Sequence, residues 1–231
     1  MLKAVIFDFD GVVVDTEHLH LGAFNDILAP YGVTITDEKY YDEYVIYNDA
    51  DFFNVVSERF NLGLTETDIA ELIEKKFELF KELIKQGPDF LAGAQEFINL
   101  LKQNDVIVAI CSGSLLADID LILKDTALQD AFEVIVGADS AGVTKGKPDP
   151  VSFEVTLARL NENRSEAIAP AECVVIEDSY GGLAAAEAAG MHRVAVTNTF
   201  SAQKLSEYAE IVVDNLRQID IEDLRRLSSS R

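Results

Sequence analysis

Positive charge, cysteine and long apolar runs are all scarce in this sequence, and each scarcity excludes something. Only 19 Lys and Arg stand against 41 Asp and Glu, a formal net charge of −22. A surface of that sign repels phosphate backbones and anionic lipid, so neither nucleic acid nor membrane is an expected partner. The two cysteines, Cys111 and Cys173, lie in or beside apolar runs. That placement suits buried free thiols and gives no disulfide framework. No stretch approaches the length of a membrane span. Asp8 and Asp10 break the apolar opening too early for a signal peptide, so a reducing cytoplasm is the expected compartment. Internal repeats and low-complexity segments are missing as well.

What is present is enough apolar material, 48% of 231 residues, for one large domain or one core with a smaller insertion. Short β-branched runs at Lys3–Phe9, Val106–Cys111, Val134–Gly137, Cys173–Ile176, Arg193–Val196 and Ile211–Val213 read as strands. Helical patterns fall between them at Ala94–Gln103, Leu115–Leu123, Val151–Leu160 and Gly182–Ala189. Near-continuous apolar strands alternating with helices predict an α/β fold, a doubly wound parallel sheet covered on both faces. One connection breaks the rhythm. Almost a hundred residues separate the first two strands, where a crossover needs about a dozen. Within that gap, Ile69, Leu72, Ile73, Phe77, Phe80, Leu83 and Ile84 follow a helical repeat. The expectation is an inserted helical domain over residues 16–87, bounded by Gly11 and Gly87-Pro88, with the core in 1–15 and 88–231. The terminal Ser228-Ser229-Ser230-Arg231 is expected to fray.

In open parallel sheets ligands bind at the carboxyl ends of the strands, and there the polar residues collect. Strand one stops in Asp8-Phe9-Asp10-Gly11, strand two in Cys111-Ser112-Gly113-Ser114, and strand four in Glu177-Asp178-Ser179; the loop after strand three carries Lys145-Gly146-Lys147-Pro148. Asp8 and Asp10, two apart, can face one side of a strand end, and close carboxylates resist ionising together unless a cation sits between them. With Glu177 and Asp178 nearby, the set suits magnesium, which takes one or two carboxylates, waters and substrate phosphate. Any one of these acids alone reads as well as a turn or cap residue; the four tips together make a catalytic crevice. Ser112 and Gly113 offer a hydroxyl and backbone N–H groups to an anion at a helix start, though Ser112 or Ser114 could equally be a plain N-cap. Lys147 sits in a loop stiffened by Pro148 and Pro150, with Lys145 competing for its role. The glycine- and alanine-rich run Gly181–Gly190 is read as close helix–sheet packing with a Gly190 cap, and carries no chemistry.

These residues resemble the haloacid dehalogenase superfamily, and within it the β-phosphoglucomutase-like branch of phosphatases and mutases. The matching stretches are Asp8-Phe9-Asp10-Gly11 with Asp15-Thr16-Glu17, Ser112-Gly113, Gly146-Lys147-Pro148-Asp149-Pro150 and Glu177-Asp178-Ser179-Tyr180-Gly181-Gly182. The resemblance implies a Rossmann-like core with a helical cap, and hydrolysis of a small phosphomonoester, such as a sugar phosphate, through an aspartyl phosphate. It implies that Asp8 attacks phosphorus and ligates Mg2+. Asp10 acts as acid and then base, and its carbonyl also binds the metal. Ser112, Gly113 and Lys147 hold the phosphoryl oxygens, while Glu177 and Asp178 complete the metal shell. The presence of Asp10 sets the chain apart from the metal-free dehalogenating members. Thr16 and His20 fall on the substrate side. His20 reads equally as a group assisting proton transfer or closure and as an ordinary half-exposed helical histidine.

A phosphosugar mutase is the alternative on the same scaffold. In that branch basic residues of the cap grip a second phosphate, yet Tyr40–Val56 holds no Lys or Arg. It carries Asp42, Glu43, Asp49 and Asp51 instead, beside aromatics that read as packing. Hydrolysis is therefore preferred. A binding module that has lost turnover is disfavoured by the complete catalytic set. A cap that opens and closes fits a monomer.

Overall fold

A computed structural model describes residues 1–84 and 89–229. The chain divides into two compact units, one formed by Met1–Asp15 with Asp89–Arg231 and the other by Thr16–Pro88. Gly87-Pro88, placed by the sequence at the far boundary of the insertion, lies outside the described residues.

The first unit is built on β1 (Ala4–Phe7), β2 (Ile107–Cys111), β3 (Val134–Val136), β4 (Cys173–Glu177), β5 (His192–Val196) and β6 (Ile211–Val213). They form one sheet in the order β3-β2-β1-β4-β5-β6, every pair parallel. The fold is the doubly wound α/β fold that the alternating pattern predicts. β1 is the central strand, with all four of its residues fully buried. A strand covered on both faces has no polar side, which is why Ala4-Val5-Ile6-Phe7 runs apolar without alternation. At about 1.5–3 kcal/mol for each buried large side chain, these few residues anchor the sheet. The order of winding reverses between β1 and β4, and this switch point is where open α/β sheets bind ligands.

The second unit contains α1 (Glu17–Leu28), the short α2 (Asp37–Lys39), a π-helical turn at Tyr40–Tyr44, α3 (Asp49–Phe60) and α4 (Glu66–Leu83). It has its own core, formed by Leu21, Phe24, Ile27 and Leu28 with Tyr40, Tyr44, Phe52, Phe53, Val56, Ile69 and Leu72. The aromatics between Tyr40 and Phe53 are thus packing, as read. Local signals set the helix starts. Thr65 and Asp68 close a capping box at α4, and Asn48 accepts from the Asp51 N–H at α3.

The first unit continues with α5 (Ala94–Gln103), α6 (Leu116–Leu123), α7 (Val151–Asn161), α8 (Tyr180–Ala188), α9 (Ala202–Leu205) and α10 (Ile221–Leu227). Where the chain leaves and re-enters this unit, the Asp15 N–H donates to the Asp89 carbonyl and the Leu91 N–H to that of Val13. The expected frayed terminus is corrected in part. Ser228 is buried, the Met1 ammonium donates to its carbonyl, and the Ser228 and Ser229 hydroxyls donate to Arg225. Ser230 and Arg231 lie outside the described residues.

Candidate active site

β1 ends at Phe7 and not at Phe9. The Phe9 carbonyl accepts from the N–H groups of Val12, Val13 and Val14, which wraps the chain into a turn at once. Gly11, at φ 76°, makes that turn without the strain a side chain would carry. Asp8 and Asp10 therefore sit in a tight loop just past the strand, and both are buried. The Asp8 N–H still donates to the Ile176 carbonyl at 2.9 Å, so its backbone is held by β4.

Lys147 is the hub of the cluster. Its ammonium donates to Asp8 Oδ1 at 2.5 Å, to Glu177 Oε1 at 2.7 Å and to the Cys111 carbonyl at 2.9 Å, joining the tips of β1, β4 and β2. Lys145, its competitor, is 71% exposed and pairs with Asp149. Of the two lysines, Lys147 is the one that joins the strand tips.

The other oxygen of Glu177 is equally engaged. Oε2 accepts from the N–H groups of Asp178 and Ser179 and from the Ser179 hydroxyl. Gly182 makes room for this carboxylate. A Cβ there would lie 1.7 Å from Glu177 Oε1, so α8 can lie over the end of β4 only with glycine at that place. The small-residue run thus serves the site directly, a role the sequence reading did not give it. Ser179 also caps α8, accepting from the Gly182 N–H, and Gly190 follows the helix in the left-handed conformation as expected.

Ser112 extends β2 by donating its N–H to the Val136 carbonyl, and its hydroxyl accepts from the Ser114 N–H. Ser114 in turn donates to Asp10 Oδ2 at 2.5 Å. Neither serine caps the following helix, which begins one residue later than expected. Asp139, from the loop after β3, accepts from the Leu116 N–H instead. Gly113 is exposed, with nothing within 4 Å of where a Cβ would stand. Asp178 is buried, and its Oδ2 accepts from the Thr199 hydroxyl.

Burial pushes the Asp8 carboxyl up, to about 8; Lys147 opposes the rise, while Glu177 and Asp10 add to it. Burial alone would lower Lys147, yet Asp8 and Glu177 hold its ammonium well above the ordinary lysine range. The cluster carries more negative charge than one lysine offsets. Both thiols are buried, and burial pushes Cys173 up to about 12.

Of the sequence-derived candidates, Asp8, Lys147 and Glu177 meet directly, and Asp10, Ser112 and Asp178 stand on the adjoining tips. Thr16 and His20 belong to the inserted unit. The buried Thr16 begins α1, accepting at its carbonyl from the Leu19 and His20 N–H groups. His20 is buried and not half-exposed. It stacks on Phe80 with ring centroids 4.5 Å apart, and Nδ1 lies 2.8 Å from Lys76 Nζ. Lys76, fully buried, also reaches Asp49 at 3.0 Å. Asp49 is therefore not the bare acid that its neighbourhood in the sequence suggests. The sequence reading missed Lys76, although its place on the Ile69–Leu72–Phe80 stripe of α4 is the signal that marks it.

The family model for haloacid dehalogenase-like hydrolases matches residues 5–196. That span takes in the ends of β1, β2, β3 and β4 and the loop that carries Lys147. The chain belongs to this family. Protein CbbY of Rhodobacter capsulatus is 33% identical over 202 residues, with 85% of each chain covered. The phosphorylated carbohydrates phosphatase of Thermotoga maritima is 29% identical over 194 residues, with 84% of each covered. The crystal structure of β-phosphoglucomutase from Clostridium difficile superposes with a TM-score of 0.86 at 25% identity, over 99% of this chain and 98% of that one. This haloacid dehalogenase-like hydrolase thus shares its fold with a mutase, and in sequence it is similar both to a carbohydrate phosphatase and, at 30% identity over 208 residues, to the β-phosphoglucomutase of Bacillus subtilis.

Phosphatases of the family generally use Mg2+. The residues present fit such an ion in chemistry and charge. Asp8, Asp10 and Asp178 offer hard oxygen donors on neighbouring tips, and a cation beside Asp8 would oppose the rise that burial, with Glu177 and Asp10, gives its carboxyl. Among the described residues no three His, Cys, Asp or Glu side chains form a ready metal cluster. Magnesium asks for less than that, since one or two carboxylates suffice when waters and phosphate complete its shell.

Proposed function

We infer that this hydrolase releases inorganic phosphate from a small phosphomonoester, in a magnesium-dependent reaction that passes through an aspartyl phosphate on Asp8. It is a phosphatase, and the observation that carries the reading is the buried junction of Asp8, Lys147 and Glu177 at the switch point of the sheet. A phosphorylated carbohydrate is the proposed substrate class, supported by the relative of that name in Thermotoga maritima.

The steps follow from the donor set. An Asp8 oxygen attacks phosphorus as the bond to the ester oxygen breaks, and Asp10 gives that oxygen its proton. Asp10 then takes a proton from water, whose oxygen attacks phosphorus from the open side. The Asp8–phosphorus bond breaks, and phosphate leaves with the carboxylate restored. Ser112 and the Gly113 N–H hold the phosphoryl oxygens, and the Lys147 ammonium offsets the charge developing on them. Asp8, the Asp10 carbonyl and Asp178 would hold magnesium, which when bound would supply the charge neutralisation that keeps Asp8 ionised. Glu177 anchors Lys147. We assign substrate selection to the inserted unit, as a cap.

A phosphate-release screen over sugar, glycolytic, nucleotide and amino-alcohol phosphates, run with and without Mg2+, tests this. The expected outcome is a metal-dependent hit lost in Asp8→Ala; silence on every ester removes the phosphatase reading. The likeness to β-phosphoglucomutase favours a second reading, sugar-phosphate isomerisation primed by a bisphosphate. Against it, Tyr40–Val56 lacks any basic residue and Asp49 is tied to Lys76. Isomerisation without net phosphate release would establish the mutase.

A further inference from the structure

The loop after β5 reaches the strand tips, yet none of the chemistry above uses it. Two of its side chains cross to the catalytic loops. Asn198 Nδ2 donates to the Gly11 carbonyl at 2.7 Å, and the Thr199 hydroxyl donates to Asp178 Oδ2. All three loops meet at Gly11. A Cβ there would stand 2.0 Å from Asp178 Oδ2 and 3.1 Å from Thr199 Oγ1, so the carboxylate oxygen lies directly against the glycine backbone. The loop is itself anchored at both ends. The Thr197 N–H donates to the Val213 carbonyl at 3.0 Å. Phe200 packs on Tyr180, with ring centroids 5.1 Å apart, and the Lys204 ammonium lies 4.2 and 4.4 Å from the two ring centres.

A carboxylate with one oxygen pinned between a glycine backbone and a hydroxyl cannot turn about its Cβ–Cγ bond, so its second oxygen keeps one direction. Fixing a ligand carboxylate before the ion arrives is how groups behind a metal shell raise its affinity. We propose that Thr199 is a positioning residue for the cation site: its hydroxyl sets the rotation of Asp178, with Asn198 holding Gly11 in register beside it. This rests on the magnesium reading above and adds to it a residue outside the segment that the family model matches.

The test compares Thr199→Val, which keeps the shape and loses the hydroxyl, with Thr199→Ser, which keeps the hydroxyl. Mg2+ alone is titrated into each protein while its thermal midpoint is followed. Thr199→Val is expected to need roughly 10- to 100-fold more Mg2+ for half its full shift, and Thr199→Ser to stay near wild type. Saturating Mg2+ should then restore most of the turnover number to the valine variant, which a general folding defect would not allow. If valine lowers the metal-free midpoint too far for titration, Thr199→Ala takes its place under the same expectation. Equal Mg2+ demand in wild type and both hydroxyl-free variants overturns the positioning role and leaves the magnesium site standing. A wild-type protein that shows no response to Mg2+ overturns the magnesium reading, and this proposal with it.

Discussion

Asp8 is a carboxyl buried beside two others, with one ammonium in reach. In the unfolded chain it releases its proton near 3.8, and in the fold near 8. Between those values the native state holds a proton that the unfolded state has lost, so the free energy of unfolding falls as pH rises. Denaturant midpoints of metal-free protein are therefore expected to decline from about pH 5 to about pH 8, with Asp8→Asn flattening the decline. Magnesium must displace that proton, so the stabilisation it gives should be larger at the alkaline end. A profile that rises with pH in both proteins would show that burial does not govern Asp8. The acids and serines of the candidate site were legible in the sequence because each stands at the end of an apolar run, and Lys147 because Pro148 and Pro150 stiffen the loop that carries it. Lys76 was passed over because lysine is ordinarily a surface residue; its place on the buried stripe of α4 hinted otherwise, but His20 and Asp49, the partners that explain it, lie far off in the chain.

Among the elements, α8 shows most directly how packing serves chemistry. Gly181 and Gly182 are neighbours in one helix, but only Gly182 faces the Glu177 carboxylate. Gly182→Ala puts a methyl into that group, and the helix or the carboxylate must move. A loss of about 2–4 kcal/mol is expected, together with most of the activity, because Glu177 anchors Lys147. Gly181→Ala meets nothing within 4 Å and should be neutral, or stabilising by up to about 1 kcal/mol. Denaturant unfolding of the two variants checks this; equal effects would remove the role given to Gly182. Pattern alone identified the helix, as it did every strand, because apolar periodicity follows from burial on a sheet. Which of two adjacent glycines touches a carboxylate depends on the rotation of α8 over β4, and periodicity does not encode that. The start of α6 was missed for a similar reason, its cap coming from Asp139, far along the chain.

Over the whole molecule the charge of −22 works against the proposed substrate, itself an anion. Screening should therefore help. At fixed Mg2+, kcat/KM is expected to rise as salt increases from about 10 to about 150 mM, the reverse of an enzyme that steers its substrate electrostatically. A falling profile would mean that the local field of Lys147 and the metal outweighs the surface. The same acidity was the plainest message of the composition, and it left open how a phosphate could be held at all. A lysine and a metal ion at the strand tips are the proposed answer, and the convergence of distant tips on Lys147 supports it.

The ladder of the sheet does not stop where the strands do. The Asp8 N–H is bonded to Ile176 and the Ser112 N–H to Val136, so the proposed nucleophile hangs from the last rung between the two central strands, and Ser112 from the last rung to the edge strand β3. Amide protons of strands in a buried core exchange with solvent through the rarest openings. The Asp8 amide, bonded between the two central strands, is therefore expected to exchange on the timescale on which the sheet itself opens.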